Sequence, residues 1–422
     1  KIIEYYPREE LWQMSRDELL NISRGILHLL DRPRARLFTR RDRFNRFVAS
    51  LVYIPKDRYD SDIREKVGSL IARAYGGVVE SFQPQLGEGQ LARVLFVIGE
   101  IDKTRPEPNA HQLDAEVAAL THTWEDTFRA ELMRSPLFDA DAREEASNRF
   151  DDAFTAAYRE RYGVDEGITD MIEILGAGDD EVIRARAYRM EGDALNIMRC
   201  KFYTRGDVLA LSAVVPILEN LGLFVDSEVN YELNLKASAL HPAQRIYVHD
   251  IETRSADGAP IDLVRAGYKF EEAVTAVWTG KAESDGFNRL ILALSCSWRE
   301  AALVRALARY RQQSGLDPTQ VVQEQALANN PKIAALILAF FKARFDPNLP
   351  ETMETREIRS TKVEFMIEAA LNDVVSLDDD RALRRIARLV KAIRRTNYYQ
   401  PATDGQPKPY MSFKIDSNAV AD

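Results

Sequence analysis

An arginine-rich stretch, residues 34–46, is the first part of the chain whose residue types could do chemistry. Its basic side chains are those of Arg34, Arg36, Arg40, Arg41, Arg43 and Arg46, and phenylalanines lie among them. Arginines that contact phosphates, beside aromatic rings that stack on bases, are typical of RNA-binding strands. The alternative is that residues such as Leu37 and Phe47 point into a core, while the arginines line a solvated face or pair with acidic partners, including another subunit. The net charge of −9 and the lack of a second basic patch favour this alternative, so nucleic acid is not an expected partner.

The turn "YTRGDV" is a candidate effector-binding site, formed by Thr204, Arg205, Gly206, Asp207 and Val208. A glycine permits a tight turn between the preceding strand and the following helix. The free amides at the start of that helix could hold a carboxylate, which would make a small regulatory pocket. The alternative is that Asp207 only caps the helix.

Other motifs do not form a catalytic set. "GEG" at Gly87 and "GAG" at Gly176 are interpreted as ordinary loops, because neither follows a strand and opens a helix with a third glycine in place. His241 and His249 lie around a predicted strand with no cysteine near, which is a weak pattern for a metal site. The sequence therefore predicts no catalytic residue, no bound cofactor and no metal within this chain.

Composition is that of a soluble globular protein, with 45% hydrophobic and 29% charged residues over 422 positions. Cys200 and Cys296 each lie in an apolar pattern, which predicts buried thiols in a reducing, cytoplasmic compartment. The longest apolar run, residues 333–341, is half the length of roughly 18 residues that a membrane span needs. No membrane partner is expected.

Two segments share the element order α-β-β-α-β-β. In residues 1–103, a capping box at Ser15 and Glu18 begins a helix, and the strand patterns are "ARLFTR", "RFVASLVYIP", "VVESFQ" and "LARVLFVIG". In residues 165–268, the strand patterns are "EVIRARAYRM", "LNIMRCKFY", "LFVDSEVNYEL" and "RIYVHDIE". This order predicts antiparallel sheets with helices on one face, as in a ferredoxin-like fold whose first strand is moved to the end.

The rest of the chain is predicted to be helical. Residues 104–164 carry two helical patterns, 111–132 and 141–161, and are interpreted as a helical hairpin spacer. Residues 269–400 form a helical domain, and residues 401–422 contain a strand pattern at 410–415. The predicted fold class is α+β, with two small ferredoxin-like, ACT-like or PAS-like sandwiches and a helical segment.

Long stretches resemble the large bacterial NAD-specific glutamate dehydrogenases. They include "KFYTRGDVLALSAVVPILENLGLFV", "AVWTGKAESDGFNRLILALSCSWREAALVRALARY" and "RTNYYQ" with "KPYMSFKID". The resemblance implies a much longer enzyme, with regulatory ACT-like and PAS-type modules, helical motifs and a catalytic region with a Rossmann half. The implied reaction is oxidative deamination of L-glutamate to 2-oxoglutarate and ammonia, with NAD reduced.

The same resemblance implies a role for this chain. "KPYMSFKID" is similar to the entry of the catalytic region, so residues 401–422 are expected to be its truncated start, and the catalytic and NAD-binding residues to lie beyond Asp422. Residues 198–253 resemble an ACT-like module, which points to residues 204–208 for an amino-acid effector. We therefore expect an inactive regulatory and oligomerisation fragment whose partners are its own copies and the missing catalytic region. The alternatives are an amino-acid-sensing module and, less favoured, an RNA-associated protein.

Overall fold

Two four-stranded antiparallel sheets organise the chain, one in each of two compact units, Lys1–Phe138 and Asp139–Asp422. The computed structural model describes residues 6–31, 34–87, 89–178, 183–315, 319–349 and 352–420. No helix in these described ranges is long and apolar enough to cross a membrane.

The first unit contains five helices and four strands among its described residues. In chain order they are α1 (Arg8–Leu11), α2 (Arg16–Asp31), β1 (Arg36–Arg41), β2 (Val48–Pro55), α3 (Ser61–Tyr75), β3 (Val78–Gln85), β4 (Leu91–Gly99), α4 (Ala110–Leu120) and α5 (Trp124–Arg134). Asp60 caps α3 by accepting from the Ile63 amide, and Gly76 ends it in a left-handed conformation.

The strand order in the first sheet is β1-β2-β4-β3, and every pair is antiparallel. A ferredoxin-like sheet has this order when its first strand is moved to the end of the chain. The predicted element order α-β-β-α-β-β and the predicted fold are therefore confirmed.

The two helices that complete this sandwich are α3 and α4. Val67 and Ile71 of α3 and Val117 of α4 share one buried apolar cluster with the sheet residues Val52, Val94 and Phe96. The leading helix α2 lies on the opposite face, where Ile26 and Leu29 pack with Leu51 and Leu95. The expectation of helices on one face thus holds for α3 and α4, while α2 covers the other face.

The second unit begins with three helices before its sheet. Its elements up to the sandwich are α6 (Ala140–Phe150), α7 (Ala156–Arg161), α8 (Val164–Gly176), β5 (Ile183–Tyr188), β6 (Ile197–Arg205), α9 (Leu211–Asn220), β7 (Leu223–Leu235), β8 (Gln244–Ser255) and α10 (Leu263–Trp278). The sheet order is β5-β6-β8-β7, again antiparallel throughout.

The second sandwich repeats the plan of the first. Cys200, Phe202 and Ile251 of the sheet share one core with Val214 and Leu218 of α9 and with Phe270 and Val274 of α10. The helix after the last strand again completes the sandwich, and the leading helix α8 lies on the other face.

Six helices follow the second sandwich in the described residues. They are α11 (Arg289–Leu294), α12 (Trp298–Gln313), α13 (Gln320–Asn329), α14 (Pro331–Phe345), α15 (Met353–Leu371) and α16 (Leu377–Ala392). Leu307, Phe341, Leu383 and Val390 belong to the same buried cluster as the sandwich residue Phe202. The helical segment and the second sandwich therefore share one core.

The predicted strand at residues 410–415 is shorter than expected. It forms β10 (Phe413–Ile415), which pairs antiparallel with β9 (Ile393–Thr396), directly after α16. Phe413 and Ile415 also pack against the core of the helical segment. This strand therefore packs on the helical segment of the same chain.

Each long helical pattern before the second sheet is divided in two by a threonine cap. Thr123 forms a capping box with Asp126 and begins α5, and Thr155 caps α7 by accepting from the Tyr158 amide. The predicted boundaries between domains stay predictions.

Placing α2 on the outer face of the first sheet has a testable consequence at Gly25. A Cβ atom there would lie 2.6 Å from Cε1 of Phe38 in β1. We expect Gly25→Leu to force α2 away from the sheet and lower the free energy of unfolding by about 1–3 kcal/mol in urea titrations. The control is Gly89→Ala, since nothing lies within 4 Å of a Cβ there. Equal stability of the two variants would contradict this placement of α2.

Candidate functional site: a buried lysine, carboxylate and tyrosine cluster

The outer face of the second sheet buries a charged cluster beside apolar residues such as Met171, Leu233 and Val248. Along β6, Cys200 and Phe202 point toward α9 and α10, so Lys201 and Tyr203 point to the opposite face. Lys201 has no solvent exposure, and Tyr203 has 4%. A fully buried ammonium group must be paired, because desolvation of an unpaired charge is very costly.

Helix α8 supplies the two carboxylates that pair with Lys201. The Nζ atom of Lys201 lies 2.6 Å from Oδ2 of Asp170 and 2.6 Å from Oε1 of Glu166. Glu166 and Asp170 are four residues apart and therefore lie on one face of the helix. Asp170 is fully buried as well.

Asp170 is the most heavily hydrogen-bonded member of the cluster. Tyr203 donates to its Oδ1 at 2.7 Å, and Tyr158 donates to its Oδ2. Arg186 lies opposite Lys201 in the sheet register, pairs with Glu166, and lies 3.5 Å from Oδ1 of Asp170. The carboxylate thus joins α7, α8, β5 and β6.

Aromatic rings enclose the ammonium group. The Nζ atom of Lys201 lies 3.9 Å from the ring centroid of Tyr162, 5.4 Å from that of Tyr188 and 5.5 Å from that of Tyr158. Such cation–π contacts stabilise a buried cation beyond its ion pairs. Tyr162 and Tyr188 also donate to Asp250, which lies opposite Lys201 on β8. We name this set the Lys201 cluster: Tyr158, Tyr162, Glu166, Asp170, Arg186, Tyr188, Lys201, Tyr203 and Asp250.

Burial sets the protonation of the cluster. It raises the pKa of each tyrosine, Tyr158, Tyr162, Tyr188 and Tyr203, well above the ordinary value, and a neighbouring carboxylate raises it further. Burial also raises the pKa of Asp170, while Lys201 opposes that shift. At neutral pH all four hydroxyls are therefore protonated donors.

The contacts of the Lys201 cluster are made within the protein. Lys201, Asp170 and Tyr158 are fully buried, and their polar atoms contact one another. Loss of one partner would leave a buried charge, which typically costs about 3–5 kcal/mol. The arrangement therefore fixes α7 and α8 on the sheet and does not offer its lysine to a substrate.

The predicted effector turn lies at the end of β6. Thr204 donates from Oγ1 to the Asp207 carbonyl at 2.7 Å, and Arg205 donates to the Ala177 carbonyl at 2.8 Å. Gly206 has φ +79°, so the turn does need a glycine. Asp207 and Val208 are exposed. As a binding site, this turn stays a prediction.

The alternative role of Asp207 as a helix cap is wrong. Helix α9 begins at Leu211, and its N-cap is Ala210, which has no side-chain capping bond. Between the turn and the helix, the Leu209 amide donates to Nε2 of His249 at 3.1 Å. His249 also contacts Glu228 through Nδ1 at 2.8 Å.

Among the described residues, no group of three or more His, Cys, Asp or Glu could hold a metal ion.

The arginine-rich stretch is divided between ion pairs and exposed positions. The paired members are Arg36 with Asp114, Arg40 with Glu10, Arg41 with Glu107 and Arg46 with Asp42, all within 2.6–2.8 Å. Arg34 and Arg43 are exposed. Pairing with carboxylates favours the core-and-ion-pair interpretation of this stretch over RNA binding.

Neither glycine-containing loop fits a dinucleotide. Gly87 follows β3 in the connection to the antiparallel strand β4, and Gly176 is the last residue of α8. A dinucleotide loop instead joins a strand to a following helix in a parallel β-α-β unit. In the described part of the chain, the strand pairs of both large sheets are antiparallel.

Sequence reasoning missed the Lys201 cluster. The alternation of Arg199, Lys201 and Tyr203 in β6 is visible in the sequence, but it is also the pattern of a solvated strand face. The available signal was an aromatic ladder at a spacing of four, formed by Phe150, Phe154, Tyr158 and Tyr162. In the structure, successive rings of this ladder lie 4.8–6.0 Å apart.

Five family models match successive parts of the chain. They are glutamate dehydrogenase helical motif 1 (residues 1–32), the ACT2 domain (36–125), the ACT3 domain (182–266), helical motif 3 (282–347) and the bacterial NAD-glutamate dehydrogenase catalytic domain (366–422). The ACT2 match begins at β1 and the ACT3 match just before β5, so both leave out the leading helix.

Curated relatives match all or nearly all of the length of this chain. The chain is 32% identical over 427 residues to an NAD-specific glutamate dehydrogenase of Halomonas elongata, and 33% identical over 421 residues to one of Pseudomonas aeruginosa. Both alignments cover 100% of this chain but only 25% and 26% of the relatives. A Mycobacterium tuberculosis protein of the same name is 28% identical over 94% of the chain. The chain thus spans about a quarter of the length of the relatives it matches.

Removing the buried ammonium group tests the role of the Lys201 cluster. We expect Lys201→Met to lower the free energy of unfolding by about 3–5 kcal/mol in urea titrations, because two carboxylates lose their cation in a buried site. The control is Lys236→Met, which removes a half-exposed pair with Asp151 and should cost about 1 kcal/mol or less. Similar losses for both variants would show that the cluster does not hold the helices on the sheet.

The tyrosines predict a steep loss of stability in alkali. Their folded pKa values are raised, so their contribution is present below the unfolded pKa of about 10 and is lost as pH rises above it. Each group should remove about 1.4 kcal/mol per pH unit. Tyr188→Phe should therefore reduce the slope by that amount, and the exposed Tyr410→Phe should not. Tyrosinate absorbance that rises in the folded protein, before unfolding, would contradict this assignment.

Proposed function

Because the chain belongs to the family of bacterial NAD-specific glutamate dehydrogenases, we propose that it serves assembly and regulation of such an enzyme. The reaction of the whole enzyme is proposed to be L-glutamate + NAD + water to 2-oxoglutarate + ammonia + NADH. On this proposal, the chain supplies the first stretch of the catalytic domain but not the residues that carry out hydride transfer.

The observation that carries this proposal is the distribution of domain matches. Residues 1–32, 36–125, 182–266 and 282–347 match ACT domains and helical motifs, and only residues 366–422 match the catalytic domain. The loops at Gly87 and Gly176 lack the geometry of a dinucleotide loop, because one joins antiparallel strands and the other lies at a helix end. The buried Lys201 makes its ion pairs inside the protein, which supports a structural role for it.

The shared core of the second unit supports a regulatory role. Phe202 and Ile251 of the sandwich belong to one buried cluster with Leu383 and Val390 of α16. Helix α16 lies inside the catalytic-domain match. Since packed cores resist deformation, a displacement of this sandwich would be transmitted to α16 and to the β9–β10 pair.

An exposed edge strand supports assembly into a homo-oligomer. β3 lies at the edge of the first sheet, and all eight of its residues are exposed. Val78, Val79 and Phe82 are 37–49% exposed on this strand. An exposed apolar edge strand is a surface that another chain can pair with. We propose that a second copy supplies that chain.

This function is tested by replacing, in a relative, the stretch that aligns with this chain. The Pseudomonas aeruginosa relative is prepared with its aligned stretch replaced by this chain, and separately with only the part aligned to residues 1–365 deleted, which leaves the catalytic-domain match in place. We expect the exchanged protein to form NADH from glutamate and NAD, and the deleted protein to lose most of that activity because its catalytic domain lacks support. The 422-residue chain alone should form no NADH.

Two outcomes would contradict the proposal. Glutamate-dependent NADH formation by the chain alone would show that it contains a reaction centre. Full activity of the deleted protein would show that the stretch is not needed for assembly or catalysis.

A further inference from the structure

Helix α15 has apolar side chains on two faces, only one of which is covered. Ile367 and Leu371 are 1% exposed and pack in the core of the second unit. Ile358 is 63% exposed, Phe365 is 75% exposed and Met366 is 44% exposed. Large apolar side chains that are grouped on an exposed surface typically mark an interaction site.

The exposed apolar side chains lie on neighbouring sides of α15. Ile358 and Phe365 are two helical turns apart and lie on the same side of α15. Ile358, Val363 and Met366 also line an open groove of about 630 Å³ between α14 and α15. We name Ile358, Phe365 and Met366, with this groove, the α15 face.

The family-model matches along the sequence indicate which surface covers the α15 face. The catalytic-domain match begins at residue 366, so Met366 is its first residue and Phe365 directly precedes it. From there the match runs through the last turn of α15, α16, β9 and β10. The relatives continue for most of their length outside the region aligned here. The α15 face therefore lies where the matched start of a catalytic domain would meet the rest of that domain.

The charges around the groove favour a different surface over a second copy of the same one. Lys342, Arg359 and Lys362 line it together with Asp346, and Lys342 already pairs with Glu300. Pairing of the groove with its own copy around a two-fold axis would bring cationic side chains against each other, which is unfavourable. A partner surface with apolar residues and an excess of carboxylates is complementary.

We infer that the α15 face is the docking surface for the remainder of a bacterial glutamate dehydrogenase catalytic domain. This inference rests on the proposed function, because that function places the catalytic remainder next to this chain. Ile358 and Phe365 are the central apolar contacts, and the exposed Lys362 pairs with a carboxylate of the partner surface.

Thiol labelling of single cysteines tests this surface. Phe365→Cys is prepared in the 422-residue chain and in the exchanged Pseudomonas aeruginosa protein described above. The native thiols Cys200 and Cys296 are buried, so the new thiol is the reactive one in the isolated chain. We expect labelling by a maleimide, followed by peptide mass spectrometry, to be at least about tenfold slower in the exchanged protein, as expected for a site that reacts only on local opening.

Val264→Cys is the matched control. Val264 is also an exposed aliphatic residue on a helix, at 97% exposure, and it lies outside the catalytic-domain match. Its labelling rate should be the same in both proteins. Equal labelling of Phe365→Cys in the two proteins would overturn the inference. Concentration-dependent protection in the isolated chain, with a dimer mass by light scattering, would also overturn it in favour of a second copy.

Activity of the charged variant separates this inference from the proposed function. Ile358→Lys with Phe365→Lys should leave the thermal midpoint of the isolated chain unchanged, because both positions are exposed. In the exchanged protein the same pair should lower NADH formation at least about tenfold, since two buried cations would lie in an apolar contact. An inactive exchanged protein without these substitutions contradicts the proposed function, whereas equal activity with and without them contradicts only the docking surface.

Discussion

The fold of the second unit depends on one requirement, which is that the ammonium group of Lys201 cannot be buried without carboxylates. Lys201 projects from the middle of the sheet, on the face that α9 and α10 do not cover. Glu166 and Asp170 supply the negative charge from α8, and Tyr162, which directly follows α7, and Tyr188 of β5 complete the enclosure. These ion pairs fix the helices before the sheet together with the buried apolar side chains Met171 and Ile174 of α8.

The first unit uses the same device on a smaller scale. Arg40 of β1 is buried on its sheet and pairs with Glu10 of the helical region before the sheet, at 2.6 Å. Apolar contacts between Ile26 and Leu51 do the rest of the packing there. In both units, a buried cation on a strand pairs with a carboxylate from the preceding helical region. An ion pair of this kind specifies which helix covers the outer face, since a slipped helix would leave the charge unpaired.

Periodicity was enough to predict the order of the elements but not the face that each helix covers. The apolar stripe of α2 predicts that Ile26 and Leu29 are buried, yet it contains no information about which sheet face they meet. The alternation of polar and apolar residues in β6 is equally compatible with a solvated polar face. A strand pattern does not show that Tyr158 and Asp170 will cover that face. The threonine caps that divide the long helical patterns were present in the sequence, and Asp207 failed as a cap because α9 begins four residues later. Long-range pairing, not local propensity, decided these points.

The position of the leading helices has a consequence for the order of events during synthesis. Domains generally fold as units as the chain emerges from the ribosome, with N-terminal parts first. Helix α2 is made before the sheet face that it covers, whereas α4, which closes the sandwich, is made after all four strands. In a nascent chain, the apolar stripe of α2 therefore remains unburied until β2 and β4 have paired. The second unit faces the same delay with a polar surface, because α8 presents carboxylates that remain hydrated until Lys201 arrives.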